Sequence, residues 1–587
     1  MRSLGPRAAI GLVLLVALVA TGCAASPDIA QSVGERAIDD PRATSAPTET
    51  VSPRSEERQG ELALPTVAAS PTDSATPSPI AIPSPTATPT ATPLPSPTPT
   101  PTAIPSPTAT STATPVEDVL DEALAASQLV AVNCPSEAQA AQLTCWIATL
   151  PVNVRSPRSG ETVEILIAFV DNGDPLGVGP VVYLQGGPGV GAVSTASRFV
   201  GIRHDVLLVD QRGTGFSTPK LDCAEVDGLW QSEHTDIQAE RLTEQQIFDA
   251  YEACRDRLIA AGISFNDFNT TAAATDYELI RRLMGYESWS LWGISYGTRT
   301  ALTIMRDYPD AVRATVLDSV VPFEVDFFAT LPENAVRAFE ALDAACDATT
   351  CAIDHGDFFT NLSELTLRLN ETPIVIAATR PNGGGSFPFR VDGAELLSLV
   401  FTQLYSTRSL PSLPRQISRA DYGGIEELVA SYVRRRDPTQ IDLAEGLYYT
   451  TWCREEFPFH NALADDSLLG ELSPLFGTAL GEALSSSGTD RLCNIFAVAP
   501  ADALYDQPIK SEIPTVVFAG AFDPVTPPTW SFQVSQALGD ATFIELDDHG
   551  HGMATTCPAD LRVAFLANPD AELDKTCVAG VTGPNFD

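Results

Sequence analysis

Three polar residues in this chain, Ser295, Asp523 and His551, have the types and surroundings that acyl transfer requires. Ser295 stands in Gly293-Ile294-Ser295-Tyr296-Gly297. Glycines on both sides allow a sharp strand-to-helix turn that leaves the serine hydroxyl at the end of a buried strand. A serine is a weak nucleophile until a histidine takes its proton, and that histidine needs a carboxylate to orient it and to balance the imidazolium. Asp523 lies in GAFDPVTPP, after the apolar run Thr515 to Ala519, and His551 lies in DDHGHG, after Thr542 to Leu546.

The elements that must position these residues are legible as short apolar runs. Thr162 to Val170, Val181 to Leu184, Asp205 to Val209, Ser288 to Trp292, Thr315 to Leu317, Thr515 to Ala519 and Thr542 to Leu546 read as strands. Ala301, Leu302, Met305 and Tyr308 give Thr298 to Tyr308 a helical period that ends at Pro309. Strands interleaved with helices predict an α/β fold whose mostly parallel sheet is covered on both faces, with its site at the carboxyl ends of the strands. Ser, Asp and His in this chain order, each just past a strand, follow the order of an α/β-hydrolase triad.

Two further strand ends carry polar loops, Gln185-Gly186-Gly187-Pro188-Gly189 and Asp210-Gln211-Arg212-Gly213-Thr214-Gly215. The first lacks the lysine of a phosphate loop, and its proline removes a donor. Its glycines instead let a backbone N–H face an oxyanion. Gly187 and the N–H of Tyr296 are the expected donors, with Gly186 as the alternative to Gly187. Asp210 and Arg212 are expected to form a structural loop pair, and His204, His234, His355 and His460 to be structural or surface residues.

Taken together, QGGPG, DQRGTGFS, GISYGTR, YPDAVRATVLDSVVP, GAFDPVTPP and GHG, spread in this order over about residues 145 to 580, resemble the serine aminopeptidases of the proline iminopeptidase and tripeptidyl aminopeptidase group, family S33. The resemblance implies an α/β-hydrolase core, an inserted helical cap and release of residues from peptide N-termini. Gln185 departs from it where many members have His, and the histidine motif is doubled. The G-H-G pattern assigns the base to His551, with His549 as the alternative. An exopeptidase must bind a free α-ammonium, for which a partly buried carboxylate is the natural partner. Glu455 and Glu456, in the segment CREEFPF, are the candidates.

Composition bounds the remainder. With a formal net charge of -40 over 587 residues, nothing here would neutralise nucleic-acid phosphates. Arg2 and Arg7 precede an apolar run, Ala8 to Ala20, of signal-peptide length, and Ala20-Thr21-Gly22-Cys23 resembles a bacterial lipoprotein cleavage box despite its first Ala. Residues 1–23 are therefore expected to be a lipoprotein signal peptide, with Cys23 lipidated and the protein held at an extracytoplasmic membrane face. Residues 24–115 are rich in Pro and Thr and read as a disordered linker. The hydrolase core is expected over 116–322 and 507–587, with a cap over 323–506 that includes helices at Glu333 to Ala345 and Gly424 to Arg435. Ten further cysteines in an exported chain predict disulfides, paired in sequence order as 134 with 145, 223 with 254, 346 with 351, 453 with 493 and 557 with 577. Without C-x-x-C pairs or a His-rich cluster, no metal or cofactor is expected. The expectation is a serine aminopeptidase acting on peptides, with an esterase of the same fold or a non-catalytic surface binding lipoprotein as alternatives.

Overall fold

A computed structural model of the chain describes residues 116–587, apart from 137, 139–142, 155–159, 234–242, 381–384, 436–442, 485–487, 554 and 587. The expected signal peptide, Cys23, the linker and His234 lie outside the described residues.

The sheet has nine strands: β1 Gln128–Val132, β2 Leu143–Pro151, β3 Thr162–Val170, β4 Val181–Leu184, β5 Val206–Val209, β6 Trp289–Ile294, β7 Val312–Asp318, β10 Thr515–Gly520 and β11 Ala541–Leu546. Their spatial order is β1-β2-β3-β5-β4-β6-β7-β10-β11. From β5 to β11 every neighbouring pair is parallel, whereas β1, β2 and β3 pair antiparallel with one another and β3 with β5. Every residue of β4, β5, β6 and β10 is buried, as a parallel sheet covered on both faces demands. Alternation divides their side chains between two cores. Val182, Leu184, Leu207 and Leu291 face one, and Val181, Tyr183, Leu208 and Trp292 face the other.

Between β7 and β10 the chain runs through a series of helices and an antiparallel pair, β8 Ile374–Thr379 and β9 Ser386–Val391. The longest helix among the described residues, Phe327–Asp347, starts where the Asp326 side chain accepts the N–H of Ala329. The segment leading into the helix Glu445–Glu455 meets the loops after β4 and β5. Ala444 N–H donates to Gly189 O at 2.8 Å and Gly446 N–H to Leu221 O at 2.8 Å, while Val190 and Leu443 form an antiparallel bridge. A β-carbon on Gly189 would lie 2.8 Å from Ala444 O, so this junction needs glycine there.

Five disulfides join Cys134–Cys145, Cys223–Cys254, Cys346–Cys351, Cys453–Cys493 and Cys557–Cys577, the pairing in sequence order. Such usage marks a chain that folds in an oxidising compartment. Among the described residues no helix is long and apolar enough to cross a membrane.

Candidate active site

β6 ends at Ile294, and Ser295 takes φ 54° and ψ −128° before the elbow helix Tyr296–Asp307 begins. A non-glycine residue at positive φ is strained, and it persists here because its surroundings leave no alternative. A β-carbon on Gly293 would fall 2.5 Å from Gly297 O, and one on Gly297 would fall 1.9 Å from Leu184 O. Both glycines of the pentapeptide are thus required by the close approach of elbow, helix and β4. Ser295 N–H donates to Asp318 O at 3.0 Å, which pins the elbow to the end of β7. Tyr296 is the first residue of the elbow helix, so its N–H has no partner one turn earlier and is available to a ligand.

Asp523 sits beyond β10 in a turn whose backbone converges on its carboxylate. Oδ1 accepts Val525 N–H and Thr526 N–H, each at 2.9 Å, and Oδ2 accepts the Thr526 hydroxyl at 2.7 Å. His551 Nδ1 lies 2.8 Å from the same Oδ2. Burial pushes the Asp523 carboxyl up, but the facing His551 and these donors bring it below the usual carboxylate value. His551 is itself buried, with the Tyr405 ring 5.0 Å from its own.

The alternative histidine is differently placed. His549 Nδ1 pairs with Asp548, next to it in the chain, and Nε2 meets the Thr555 hydroxyl at 2.7 Å. Both ring nitrogens therefore have local partners, and the Asp523 carboxylate meets His551 instead. The loop carrying both histidines is packed tightly, since a β-carbon on Gly520 would lie 2.1 Å from Gly550 O.

In the QGGPG loop Gly187 has φ 126°, which favours glycine. Gln185 is buried, and neither its amide oxygen nor its amide nitrogen has a hydrogen-bond partner. The expected pairing of Asp210 with Arg212 is corrected by the structure, because a better-aligned acid is available from a helix 64 residues on. Arg212 forks onto Asp276, with Nε–Oδ2 at 2.7 Å and Nη2–Oδ1 at 2.6 Å. Asp210 instead accepts Val193 N–H and Phe216 N–H, each at 2.8 Å. Among the other histidines, His460 pairs with Asp326 at 2.9 Å, and burial lowers His204 to about 3.

Glu455 and Glu456 end the helix Glu445–Glu455 and are both buried. Glu455 accepts the N–H of Thr270 at 2.7 Å and also its hydroxyl, and that hydroxyl lies 2.7 Å from Tyr296 Oη. Glu456 accepts Phe327 N–H at 2.8 Å and Arg299 Nη2 at 2.5 Å. Arg299 lies over the rings of Phe323 and Trp452. Burial raises both carboxyls, Glu456 to about 7. Among the described residues no group of three or more His, Cys, Asp or Glu side chains could hold a metal.

Sequence reasoning missed Asp318 and Thr270, both buried and both bonded to the elbow. Asp318 is the last residue of a strand and reads like any turn former. Thr270 reads like any residue at a helix start.

Comparison with known proteins agrees with this geometry. Residues 179–371 match the α/β hydrolase fold family, and residues 478–577 match a family described as TAP-like protein. Serine protease Hip1 of Mycobacterium tuberculosis is 29% identical over 195 residues, which cover 31% of this chain and 36% of Hip1. Tripeptidyl aminopeptidase of Streptomyces lividans is 25% identical over 195 residues, covering 30% of this chain and 35% of that one. Proline iminopeptidase of Aeromonas sobria is 29% identical over 177 residues, covering 29% and 35%. The chain thus spans about a third of the length of these relatives. The crystal structure of proline iminopeptidase from Mycobacterium smegmatis aligns with 72% of this chain and 98% of its own at 14% identity and a TM-score of 0.33. The chain has the α/β-hydrolase fold and is similar over part of its length to proteins named serine protease and aminopeptidase.

Proposed function

We propose that this chain is an exported serine aminopeptidase that releases N-terminal residues, singly or as a tripeptide, from peptides through an acyl-enzyme. The observation that carries the chemistry is the 2.8 Å contact between His551 Nδ1 and Asp523 in a loop next to the Ser295 elbow. Held at Nδ1, the His551 ring has Nε2 as its proton acceptor. Ser295 Oγ attacks the scissile carbonyl as its proton passes to His551, and Asp523 balances the imidazolium without taking the proton. The N–H groups of Tyr296 and Gly187 receive the oxyanion. Collapse of the tetrahedral adduct breaks the C–N bond, and His551 returns the proton to the leaving amine. A water then repeats the sequence on the ester, giving up its proton to His551 and releasing the acid and Ser295.

For the peptide's own ammonium, Glu455 is the better partner of the two glutamates. Its direct hydrogen-bond donors are the neutral groups of Thr270, with Arg299 and Arg454 acting on it only through space, whereas Glu456 is ion-paired with Arg299. Cleavage of one tripeptide amide, compared with its N-acetylated form and with a simple ester, tests the reading. A preference for the free amine of tenfold or more is expected. Equal cleavage of free and acetylated amides excludes an aminopeptidase in favour of an esterase or endopeptidase.

Export is supported by the five disulfides. In the same reading Cys23 carries acyl chains and anchors the protein to a membrane. Membrane fractionation of the full chain that Cys23→Ser abolishes is the expected result, and unchanged fractionation of the variant refutes the anchor.

A further inference from the structure

The end of β7 touches both halves of the site through two residues that the triad leaves unused. Asp318, 2% exposed, pairs in register with Ile294 of β6 on one side and with Phe518 of β10 on the other. It therefore stands between the strand that delivers Ser295 and the strand that leads to Asp523. Its backbone oxygen accepts Ser295 N–H at 3.0 Å, and its carboxylate Oδ2 accepts Met553 N–H at 3.0 Å. Ser319, buried at φ 56°, accepts Gly552 N–H at 2.9 Å, and its hydroxyl lies 3.3 Å from Asp318 Oδ1. The two N–H groups that follow His551 in the chain are thus held by Asp318, the last residue of β7, and by Ser319 after it. At Gly552 a β-carbon would come within 3.0 Å of Ile294 Cδ1, so the turn rests directly on the residue before the nucleophile.

We propose that Asp318 is a positioning residue for the reaction: with Ser319 it fixes the His551 turn relative to Ser295, and its buried negative charge favours the imidazolium that His551 becomes on taking the serine proton. The inference rests on the reading of Ser295 and His551 as nucleophile and base. Asp318 exchanges no proton in the cycle. Burial raises its carboxyl to about 6, while the Met553 N–H, His551, Arg562 and Ser319 all favour its charged form. The charged groups around the pair are few and fixed. Arg562, buried over the Trp292 ring at 3.8 Å, faces Asp318 from the helix Thr556–Ala567. Asp523 faces His551 from the β10 loop, and Arg337, from the helix Phe327–Asp347, donates to the backbone of Ala521 and Asp523 rather than to His551. Removing Asp318's charge therefore leaves the contact between His551 and Asp523 in place but takes away a buried anion that acts on the imidazole.

Hydrolysis of a 4-nitrophenyl ester and labelling by a fluorophosphonate, followed across pH in wild type, Asp318→Asn and Ser319→Ala, test the proposal. Neither probe needs a peptide N-terminus, so an esterase passes as well as an aminopeptidase. Asn keeps the size and one acceptor for Met553 N–H, and the variant is expected to fold. Its kcat and labelling rate should fall by about 10²-fold with KM nearly unchanged, the scale of a small misplacement of reacting groups. The acid limb of its profile should move to lower pH, because an imidazole without the neighbouring anion gives up its proton more readily. Ser319→Ala keeps the carboxyl but frees Gly552 N–H and removes the 3.3 Å hydroxyl contact with Asp318, so it should cost about tenfold with the acid limb moved less than in Asp318→Asn, and it carries the test if Asp318→Asn does not fold. Wild-type kcat in Asp318→Asn, or a loss with the acid limb unmoved, reduces Asp318 to scaffold, and wild-type kcat in Ser319→Ala likewise overturns the proposal. Failure of the wild type to label at Ser295 removes the nucleophile itself and the inference with it.

Discussion

Buried carboxylates at the strand ends and in the helix Glu445–Glu455 behave in opposite ways. Asp523 and Glu456 are equally hidden from solvent, yet Asp523 stays below the usual carboxylate value while burial lifts Glu456 to about 7 and its helix-mate Glu445 to about 8. The difference lies first in the facing His551 and then in the donors around it. In the β10 turn two N–H groups belong to no ladder, so they point at Asp523 together with the Thr526 hydroxyl and His551. Inside a helix most N–H groups are consumed by the helix itself. Glu445 draws one N–H from outside, that of Cys223 at 3.0 Å, and has Asp227 and Asp222 nearby. Burial sets what a charge costs, and the number of donors decides whether it persists.

The severest challenge to this contrast is Asp523→Asn. If the donors hold a permanent anion for His551, ester and peptide hydrolysis should both fall by about 10³ to 10⁴-fold in kcat with the fold retained. A loss under tenfold would mean that the cluster merely shapes a turn. Next in size is Glu456→Gln, which removes the carboxyl facing the buried Arg299 guanidinium and, measured above pH 7 where the ion pair is complete, should cost about 3 kcal/mol of stability by denaturant titration. Glu455→Gln should spare stability more. It is expected to lower kcat/KM for a free tripeptide amide by about one to two decades while leaving ester hydrolysis unchanged.

The smallest effect is read from pH. The folded value of Glu445, about 8, lies above its ordinary 4.5, so the folded protein keeps a proton that the unfolded chain releases between those values. The stabilisation is complete below the lower value and is lost as pH rises through the upper one. Melting temperature should therefore fall from pH 5 to pH 8.5. The fall should be shallower in Glu445→Gln but not absent, because Glu456 and Asp318 titrate in the same window. An identical slope in wild type and variant would show that Glu445 is charged when folded.

Much of the sheet was legible because its central strands are buried on both faces. Val181 to Leu184 coincides with β4, and Thr162 to Val170 with β3. The run Ser288 to Trp292 falls short of β6, which continues to Ile294 because the strand must hold its direction until the strained turn at Ser295. The edge strand β1 and its neighbour β2 went unread, because β1 is short and largely exposed and β2 mixes buried with half-exposed positions. The hairpin of β8 and β9 was hidden in a segment that reads as helical. Cysteines pair in sequence order at separations of 5 to 40 residues, so proximity along the chain was a sufficient guide. The contact of Asp318 with Met553 spans 235 residues, and that of Glu455 with Thr270 spans 185. Nothing local in either sequence marks its partner.

The junction at Gly189 has a mechanical consequence. A cover that swings open needs a seam along which bonds are few, but here the first turn of the helix Glu445–Glu455 is stitched to the loop after β4 by Ala444 and by the bridge of Val190 with Leu443. Opening along that line would have to break these backbone bonds beside the loop that carries Gly187, which favours keeping this helix in place. Its far end carries Glu455 and Glu456 on the same rod. Whatever gives way to admit a substrate must do so elsewhere, while the spacing between the carboxylates and the oxyanion loop stays set by the length of one helix.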